Sequence, residues 1–379
     1  MDLSELRVII NQIDAELVPL FCKRMGISLE VAKYKKENGI PVLDKKREAE
    51  LLARVKENAG DELAPYANAL YSTILELSRS YQHRYMNDDH SLSGMILDAK
   101  EKTPADFPTQ ASVACQGVSG AYSEQACKKL FEQPDITFYP TFGSVFDAIT
   151  AGECKYGLLP IENSIAGSVN QVYDLLKKHK CYIVRSVKLK VSHCLLAKKG
   201  TSIGDIKKVF SHDQALNQCS DYIAANGFEP VVCKNTAVAA QMVADSADNS
   251  IAAIASPLCC ELYGLDALEY DVQNYKNNYT RFICIAKEPE IYPEASQASF
   301  MMTLPHVEGS LYSVLSRFYS LGLNLLKLES RPLPETDFEF MFYFDVGCVD
   351  DHKALYALCD ELSATLPGFA YLGSYSEVK

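Results

Sequence analysis

No run of about 18 apolar residues, the length a helix needs to cross a bilayer, occurs anywhere in this sequence. The N-terminus opens on a charged amphipathic pattern without the apolar core of a secretory signal. Together these absences predict a cytoplasmic protein with no membrane partner. Cysteine is plentiful at 13 residues, yet no C-x-x-C pair occurs. Cys154, Cys194, Cys233 and Cys284 sit inside apolar stretches, as reduced core thiols do. Neither a phosphate-loop lysine nor paired metal ligands appear, so no cofactor and no metal are expected. Positive charge is in deficit: the net charge of −12 excludes nonspecific nucleic-acid binding. Any anionic ligand must therefore be met by local groups.

What remains is ordinary globular composition, 48% apolar and 23% charged, in a chain of 379 residues, long enough for two or three domains. Leu3, Leu6, Ile10, Ile13, Leu17 and Leu20 recur at steps of three and four, predicting a first helix with a packed stripe. It should run to about Lys36 and end at Asn38-Gly39, with Pro19 as an unexplained interruption. Asp44 reads as the N-cap of a second helix reaching about Glu57, and a third is expected from about Pro65 to Tyr85. Three helices enclose little core, which points to pairing with another copy. From Asn87 to Thr109 the texture is that of a linker with room for a short helix.

Beyond it, short apolar runs such as Tyr156–Leu159, Lys208–Ser211, Ile251–Ala255 and Arg281–Ile285 alternate with helical stretches, the pattern of α/β units. From Ser299 onward the expected order is strand, helix from about Ser310, strand Asn324–Ser330, strand Phe338–Val346, helix from about Asp351, strand Phe369–Tyr375. That is the βαββαβ order of a small ferredoxin-like domain.

Arg24 follows Leu20 by four, so it continues the apolar stripe, and a charge there needs a partner. Lys35 lies three turns further, about 16 Å along the same face. Arg7 stands about 25 Å before Arg24, too far for both to grip one small molecule within a chain. Asp44, Arg47 and Glu48 fall within one turn, and Ser78 and Gln82 share a face one turn apart. Each alone is ordinary helix surface. Together, the eight resemble the all-helical chorismate mutase family over about 80 residues. The resemblance implies an intertwined dimer whose first helices span both protomers. It implies Arg7 and Arg24 on the substrate carboxylates, Lys35 and Gln82 at the ether oxygen, and Glu48 at the substrate hydroxyl. Asp44, Arg47 and Ser78 complete the surroundings.

Gly117-Val-Ser-Gly120 reads as a tight turn into a helix whose free N–H groups could receive an anion. Pro160-Ile-Glu-Asn163-Ser164, Val191-Ser-His193, Ser211-His212-Asp-Gln214 through Gln218, Asn235-Thr236-Ala237 and Tyr279-Thr280-Arg281-Phe282 follow in order. Over about 180 residues these motifs resemble prephenate dehydratase, whose fold is two-lobed like that of periplasmic binding proteins, with the site in the cleft. The resemblance implies Thr280 as proton donor, Asn163, Ser164, Ser211 and Gln218 as substrate-binding, and Arg281 either on a carboxylate or holding the motif. Ser119 and Asp213 stand where that family commonly has Pro. Gly309-Ser310-Leu311-Tyr312 and Glu329-Ser330-Arg331-Pro332 resemble the two signatures of an ACT domain, the first departing from the common Gly-Ala-Leu-Val. This implies an effector site at Gly309, Ser310, Leu311, Glu329, Ser330 and Arg331, with L-phenylalanine as ligand.

The resemblances divide the chain into an all-α mutase at 1–88, a linker at 89–110, an α/β dehydratase at 111–290 and an α+β regulatory domain at 298–379. They imply an enzyme taking chorismate through prephenate to phenylpyruvate, as a homodimer or homotetramer. The competing expectation is an amino-acid-sensing binding protein with one or no live activity; Thr280 and Asn163 argue against it.

Overall fold

The computed structural model describes residues 1–86, 91–333, 340–347, 352–366 and 368–378. The chain divides into two compact units, one gathering Met1–Asp98 with Phe300–Ala370 and the other Ala99–Ser299 with Tyr371–Lys379.

In the first unit α1 (Leu3–Glu37) is one continuous helix. Asp2 caps it, taking the Glu5 N–H while the Glu5 side chain returns to Asp2. Pro19 lies inside, where its missing N–H leaves the exposed Ala15 carbonyl without a helical donor. The expected packed stripe is a correction. Within one chain Leu3, Ile10, Ile13, Leu17 and Leu20 are all more than half exposed. Only the later part, from Phe21 to Lys35, turns an inner face to α2 (Lys45–Met86). Asp44 caps α2 as expected, its Oδ1 accepting from Arg47 N at 3.0 Å. The expected second and third helices are the two arms of α2, broken at Gly60, whose φ of 70° only glycine adopts freely. The break falls between the expected end at about Glu57 and the expected start at about Pro65. Pro65 falls a turn into the second arm, where only the Asp61 carbonyl loses a donor. The expected linker holds α3 (Ser91–Lys102).

The second unit contains two sheets. The first has the order β16-β5-β11-β3-β1-β2, with β4 paired to β3. Its strands are β1 (Gln110–Gln116), β2 (Gln133–Tyr139), β3 (Tyr156–Asn163), β4 (Gly167–Ser168), β5 (Tyr182–Lys190), β11 (Tyr279–Ala286) and β16 (Glu377–Val378). Helices α4 (Tyr122–Leu130), α5 (Phe142–Ala151) and α6 (Asn170–His179) belong to this lobe. The second sheet runs β10-β6-β9-β7-β8: β6 (Cys194–Ala197), β7 (Lys208–His212), β8 (Glu229–Cys233), β9 (Ile251–Ala255) and β10 (Asp266–Glu269). It carries α7 (Asp213–Gln218), α8 (Ser220–Asn226), α9 (Thr236–Asp245) and α10 (Leu258–Tyr263). Each lobe has its own apolar core, around Val113, Tyr156 and Phe282 in the first and around Leu195, Val209 and Ile254 in the second. The chain crosses between lobes twice, after β5 and before β11, so His193 and Asn278 both stand at the crossings.

The remaining strands form a four-stranded sheet in the order β13-β14-β12-β15. These are β12 (Gln297–Leu304), β13 (Asn324–Pro332), β14 (Phe340–Gly347) and β15 (Ala370–Tyr375), with α11 (Ser310–Ser320) after β12 and α12 (His352–Thr365) after β14. The βαββαβ order is as expected. The predicted strand start at Phe338 and helix start at Asp351 lie outside the described residues. Among the described residues, no helix is long and apolar enough to cross a membrane.

Candidate active sites

Between the two lobes of the second unit lies a cavity of about 540 Å³, the size of a pocket for a small molecule. Asn163 ends β3 and Thr280 stands opposite it on β11, because these strands pair antiparallel in that register. Asn163 Oδ1 accepts from the backbone N–H groups of Ile165 (3.0 Å) and Ala166 (2.9 Å). Its amide orientation is thereby fixed, with Nδ2 turned to Thr280 Oγ1 at 3.0 Å and Asn278 Oδ1 at 2.8 Å. Since Asn163 donates, the Thr280 hydroxyl is left with its own proton to give, and Thr280 lines the cavity.

The network continues into the other lobe. Asn278 Nδ2 donates to Gln218 Oε1 at 2.9 Å, and His193 Nε2 lies 3.1 Å from the same oxygen. An oxygen already accepting is met by a second donor, so His193 carries its proton on Nε2. The Tyr122 hydroxyl lies 3.2 Å from its Nδ1 and donates its own proton to the Ser192 carbonyl at 2.6 Å. Burial lowers the His193 pKa to about 4, with the Gln218 hydrogen bond opposing, so this ring is neutral near pH 7.

Among the described residues that line the cavity, none is Asp, Glu, Lys or Arg. The N-terminal residues Tyr122, Phe142 and Thr236 of α4, α5 and α9 and the cap residue Val169 of α6 line it, so helix N-termini are the features there that favour an anion. Each such terminus favours an anion by about 0.3–1 kcal/mol. The Gly-rich turn contributes less than its pattern suggests. Gly120 N–H is already taken by Glu124 Oε2 at 2.6 Å, which corrects the expectation of a free anion-binding turn there.

Three predicted substrate contacts sit elsewhere. Ser211 is fully buried and donates its hydroxyl to the Ile254 carbonyl at 2.5 Å, pinning β7 to β9. Ser164 donates to the Asn277 carbonyl (3.0 Å) and accepts from Tyr279 N (3.0 Å), clasping the crossing that carries Asn278. Arg281 alternates to the opposite face from Thr280. There it donates to the Tyr375 hydroxyl (2.8 Å) and pairs with Glu377 (3.2 Å). Asn278 and Tyr122 were missed, since only strand register brings them to Asn163 and His193.

The second concentration of chemistry lies on α1 and α2. Arg24 Nη1 donates to Ser78 Oγ at 2.7 Å, and Lys35 Nζ to the Val42 carbonyl at 2.5 Å. Gln82 is 8% exposed, and its Oε1 is buried without a hydrogen-bond partner, a deficit worth about 1–3 kcal/mol that a ligand can remove. Glu48 is ion-paired with Arg79, which also grips Glu76. Arg79 and Glu76 were not singled out in the sequence, although their i, i+3 spacing on α2 was readable. Burial, together with the nearby charges of Arg317, Arg79 and Lys35, lowers the His83 pKa to about 4. Arg7 and Arg47 are exposed on their helices, and no second chain is needed to see that Arg7 lies far from Arg24 along α1.

In the βαββαβ segment Gly309 caps α11 with φ 82°, and Ser310 directs both its N–H (3.2 Å) and its hydroxyl (3.0 Å) to the Val307 carbonyl. Leu311 is half-buried in the first turn. Glu329, Ser330 and Arg331 lie on β13, the strand that ends the sheet.

The sequence profile of prephenate dehydratase matches residues 113–290, and that of type II chorismate mutase matches residues 6–83. The bifunctional chorismate mutase/prephenate dehydratase of Escherichia coli (strain K12) is 29% identical over 384 residues, covering 98% of this chain and 96% of that protein. Arogenate dehydratase/prephenate dehydratase 1 of Arabidopsis thaliana is 37% identical over 306 residues, 76% of this chain and 78% of the relative. The crystal structure of a prephenate dehydratase from Arthrobacter aurescens in complex with L-Phe superposes with a TM-score of 0.63 at 26% identity, over 70% of this chain and 89% of that one. Helical bundle and two-lobed cleft thus each have their counterpart, and the chain belongs to the bifunctional chorismate mutase/prephenate dehydratase family, converting chorismate to prephenate and prephenate to phenylpyruvate.

Proposed function

We propose that the α1/α2 bundle performs the first reaction and the two-lobed cleft the second, with the following residues in charge. In the bundle, Arg24 meets a carboxylate of chorismate while Lys35 and Gln82 face the ether oxygen as charge builds on it. Glu48 holds the hydroxyl, and Asp44, Arg47 and Ser78 shape the surroundings. The rearrangement needs no covalent intermediate, so positioning and charge stabilisation suffice. Arg7 is contributed by a second protomer: the bare apolar stripe of α1 supports a dimer in which these helices lie against each other.

In the cleft, the Thr280 hydroxyl protonates the departing ring hydroxyl of prephenate, which leaves as water. The electron pair of the breaking carboxylate bond moves into the ring as carbon dioxide departs. Aromatisation supplies the driving force, so a weak acid serves. The observation that carries this reading is the fixed Asn163 amide, which donates to Thr280 and leaves that hydroxyl's proton free. Gln218 and the helix N-termini receive the carboxylates. Some relatives are named for arogenate, the amine counterpart of prephenate. With no carboxylate among the described residues that line the cleft, an ammonium meets no ionic partner from them, which favours the keto acid.

The βαββαβ segment is read as an ACT domain binding L-phenylalanine at Gly309, Ser310, Leu311, Glu329, Ser330 and Arg331, with feedback inhibition as the outcome. The Arthrobacter aurescens enzyme with bound L-Phe supports the effector's identity.

The deciding assay supplies chorismate to the purified chain and follows chorismate loss and phenylpyruvate appearance, with Thr280→Ala alongside. Phenylpyruvate from the wild type with prephenate accumulating in the variant is expected, at a dehydratase loss of about 10²–10⁴-fold. Full phenylpyruvate production by Thr280→Ala would refute the proton-donor role.

A further inference from the structure

The Glu48 carboxylate is not held by its own helical arm alone. Arg79, 31 residues further along α2 and 16% exposed, forks between two carboxylates, with Nη1 on Glu48 Oε2 and Nη2 on Glu76 Oε1. Glu76 is held in turn from α11: its Oε2 accepts from Ser313 Oγ at 2.6 Å and lies 3.8 Å from Arg317 Nη2. Arg317 also pairs at 3.4 Å with the fully buried Glu361 carboxylate of α12, which accepts from Ser80 Oγ of α2 at 2.7 Å. A continuous set of charge-assisted hydrogen bonds thus runs from Glu48 through Arg79 and Glu76 to Ser313, with Arg317 joined to it by ion-pair contacts alone, all within the first unit. Arg84, 3.7 Å from Glu361, is the third cation, so Arg79, Arg317 and Arg84 stand against Glu48, Glu76 and Glu361.

A general surface ion pair is worth little, but this one is partly buried, and an Arg that gives one Nη to each of two carboxylates fixes Glu48 relative to Glu76. We infer that Arg79 is a positioning residue of the mutase reaction, presenting Glu48 to its substrate, and that Ser313 and Arg317 of α11 set its geometry through Glu76. The inference rests on the reading of Glu48 as the group that meets the substrate hydroxyl. It makes the mutase site dependent on a side-chain chain that begins in the βαββαβ segment, more than 200 residues away in sequence.

The test is a double-mutant cycle on the full chain, with dehydratase activity of each preparation as the internal check on folding. Glu48→Gln, Arg79→Gln, the double variant, Arg79→Lys and Ser313→Ala are compared by mutase kcat and KM. Arg79→Gln is expected to lower mutase kcat/KM about tenfold, to recover in part as Arg79→Lys, and to add nothing in the Glu48→Gln background. Ser313→Ala is expected to shift the same parameter in the same direction by about threefold. Full mutase activity in Glu48→Gln would overturn the site reading itself. An impaired Glu48→Gln with a wild-type Arg79→Gln would overturn the positioning role alone, as would an Arg79→Gln loss of equal size in both backgrounds, which marks a purely structural effect. Unchanged mutase kinetics in Ser313→Ala would remove α11 from the chain.

Discussion

Asn163 and His193 show how polar side chains in a cleft that has no Asp, Glu, Lys or Arg among its described lining residues are held in one hydrogen-bonding state. The His193 ring is buried and neutral, with a pKa lowered to about 4 from an ordinary value of 6.5. Between those values the unfolded chain binds a proton that the native state refuses. Native stability therefore falls as pH drops from about 6.5 toward 4. Calorimetry should show a larger loss of the dehydratase unit's thermal midpoint between pH 7 and pH 5 in the wild type than in His193→Gln. Equal losses would mean that the ring is not desolvated as the geometry requires. Over the same range the dehydratase rate should show no inflection owed to this residue. Thr280, Asn163 and Gln218 were legible in the sequence because their motifs carry reactive or amide side chains at strand and helix ends. Ser164, Ser211 and Arg281 carry the same kinds of side chain but spend them on the framework, and only the register of β3, β11, β7 and β9 distinguishes the two uses.

At the scale of elements, α1 and α2 make opposite demands on a reader of the sequence. Periodicity located α1 to within a residue or two at either end, yet it could not tell that its first half is bare in one chain. A stripe looks the same whether its partner is this chain or another. In α2 the sequence separated two helices between about Glu57 and Pro65, and the φ of 70° at Gly60 is what ends the first arm. For the bare stripe, Ile13→Glu is the informative change, since Ile13 is 59% exposed in the single chain. The variant is expected to sediment as a smaller species and to lose at least about tenfold in mutase kcat/KM, with dehydratase activity kept. An unaltered sedimentation coefficient would place the protomer contact elsewhere.

On the scale of the whole molecule, the order of domains was readable but their grouping was not. Tyr371–Lys379 packs with the dehydratase unit, while Ala370–Tyr375 is also β15 of the four-stranded sheet. There β16 adds to β5 in parallel, and the Tyr375 hydroxyl receives Arg281 from the Thr280 motif. Such an arrangement depends on contacts between distant segments, which no local pattern announces. Tyr375→Phe removes the acceptor for a buried guanidinium and should cost about 1–3 kcal/mol. The urea midpoint for loss of dehydratase activity should fall while that for mutase activity stays put. A shift of both midpoints would contradict the grouping.

The first unit is built from the two ends of the chain, with residues 99–299 placed between them. On a ribosome the mutase helices therefore emerge long before α11 and α12, their neighbours in the same unit. At ordinary rates of about 5–20 residues per second, the intervening stretch takes roughly 10–40 s to make. Through that interval α2 lacks the segment that supplies Ser313, Arg317 and Glu361, and α1 shows its apolar stripe to every other nascent chain nearby. Neighbouring ribosomes on one message would bring two such helices together early, so in the proposed dimer the meeting of protomers can precede the completion of either.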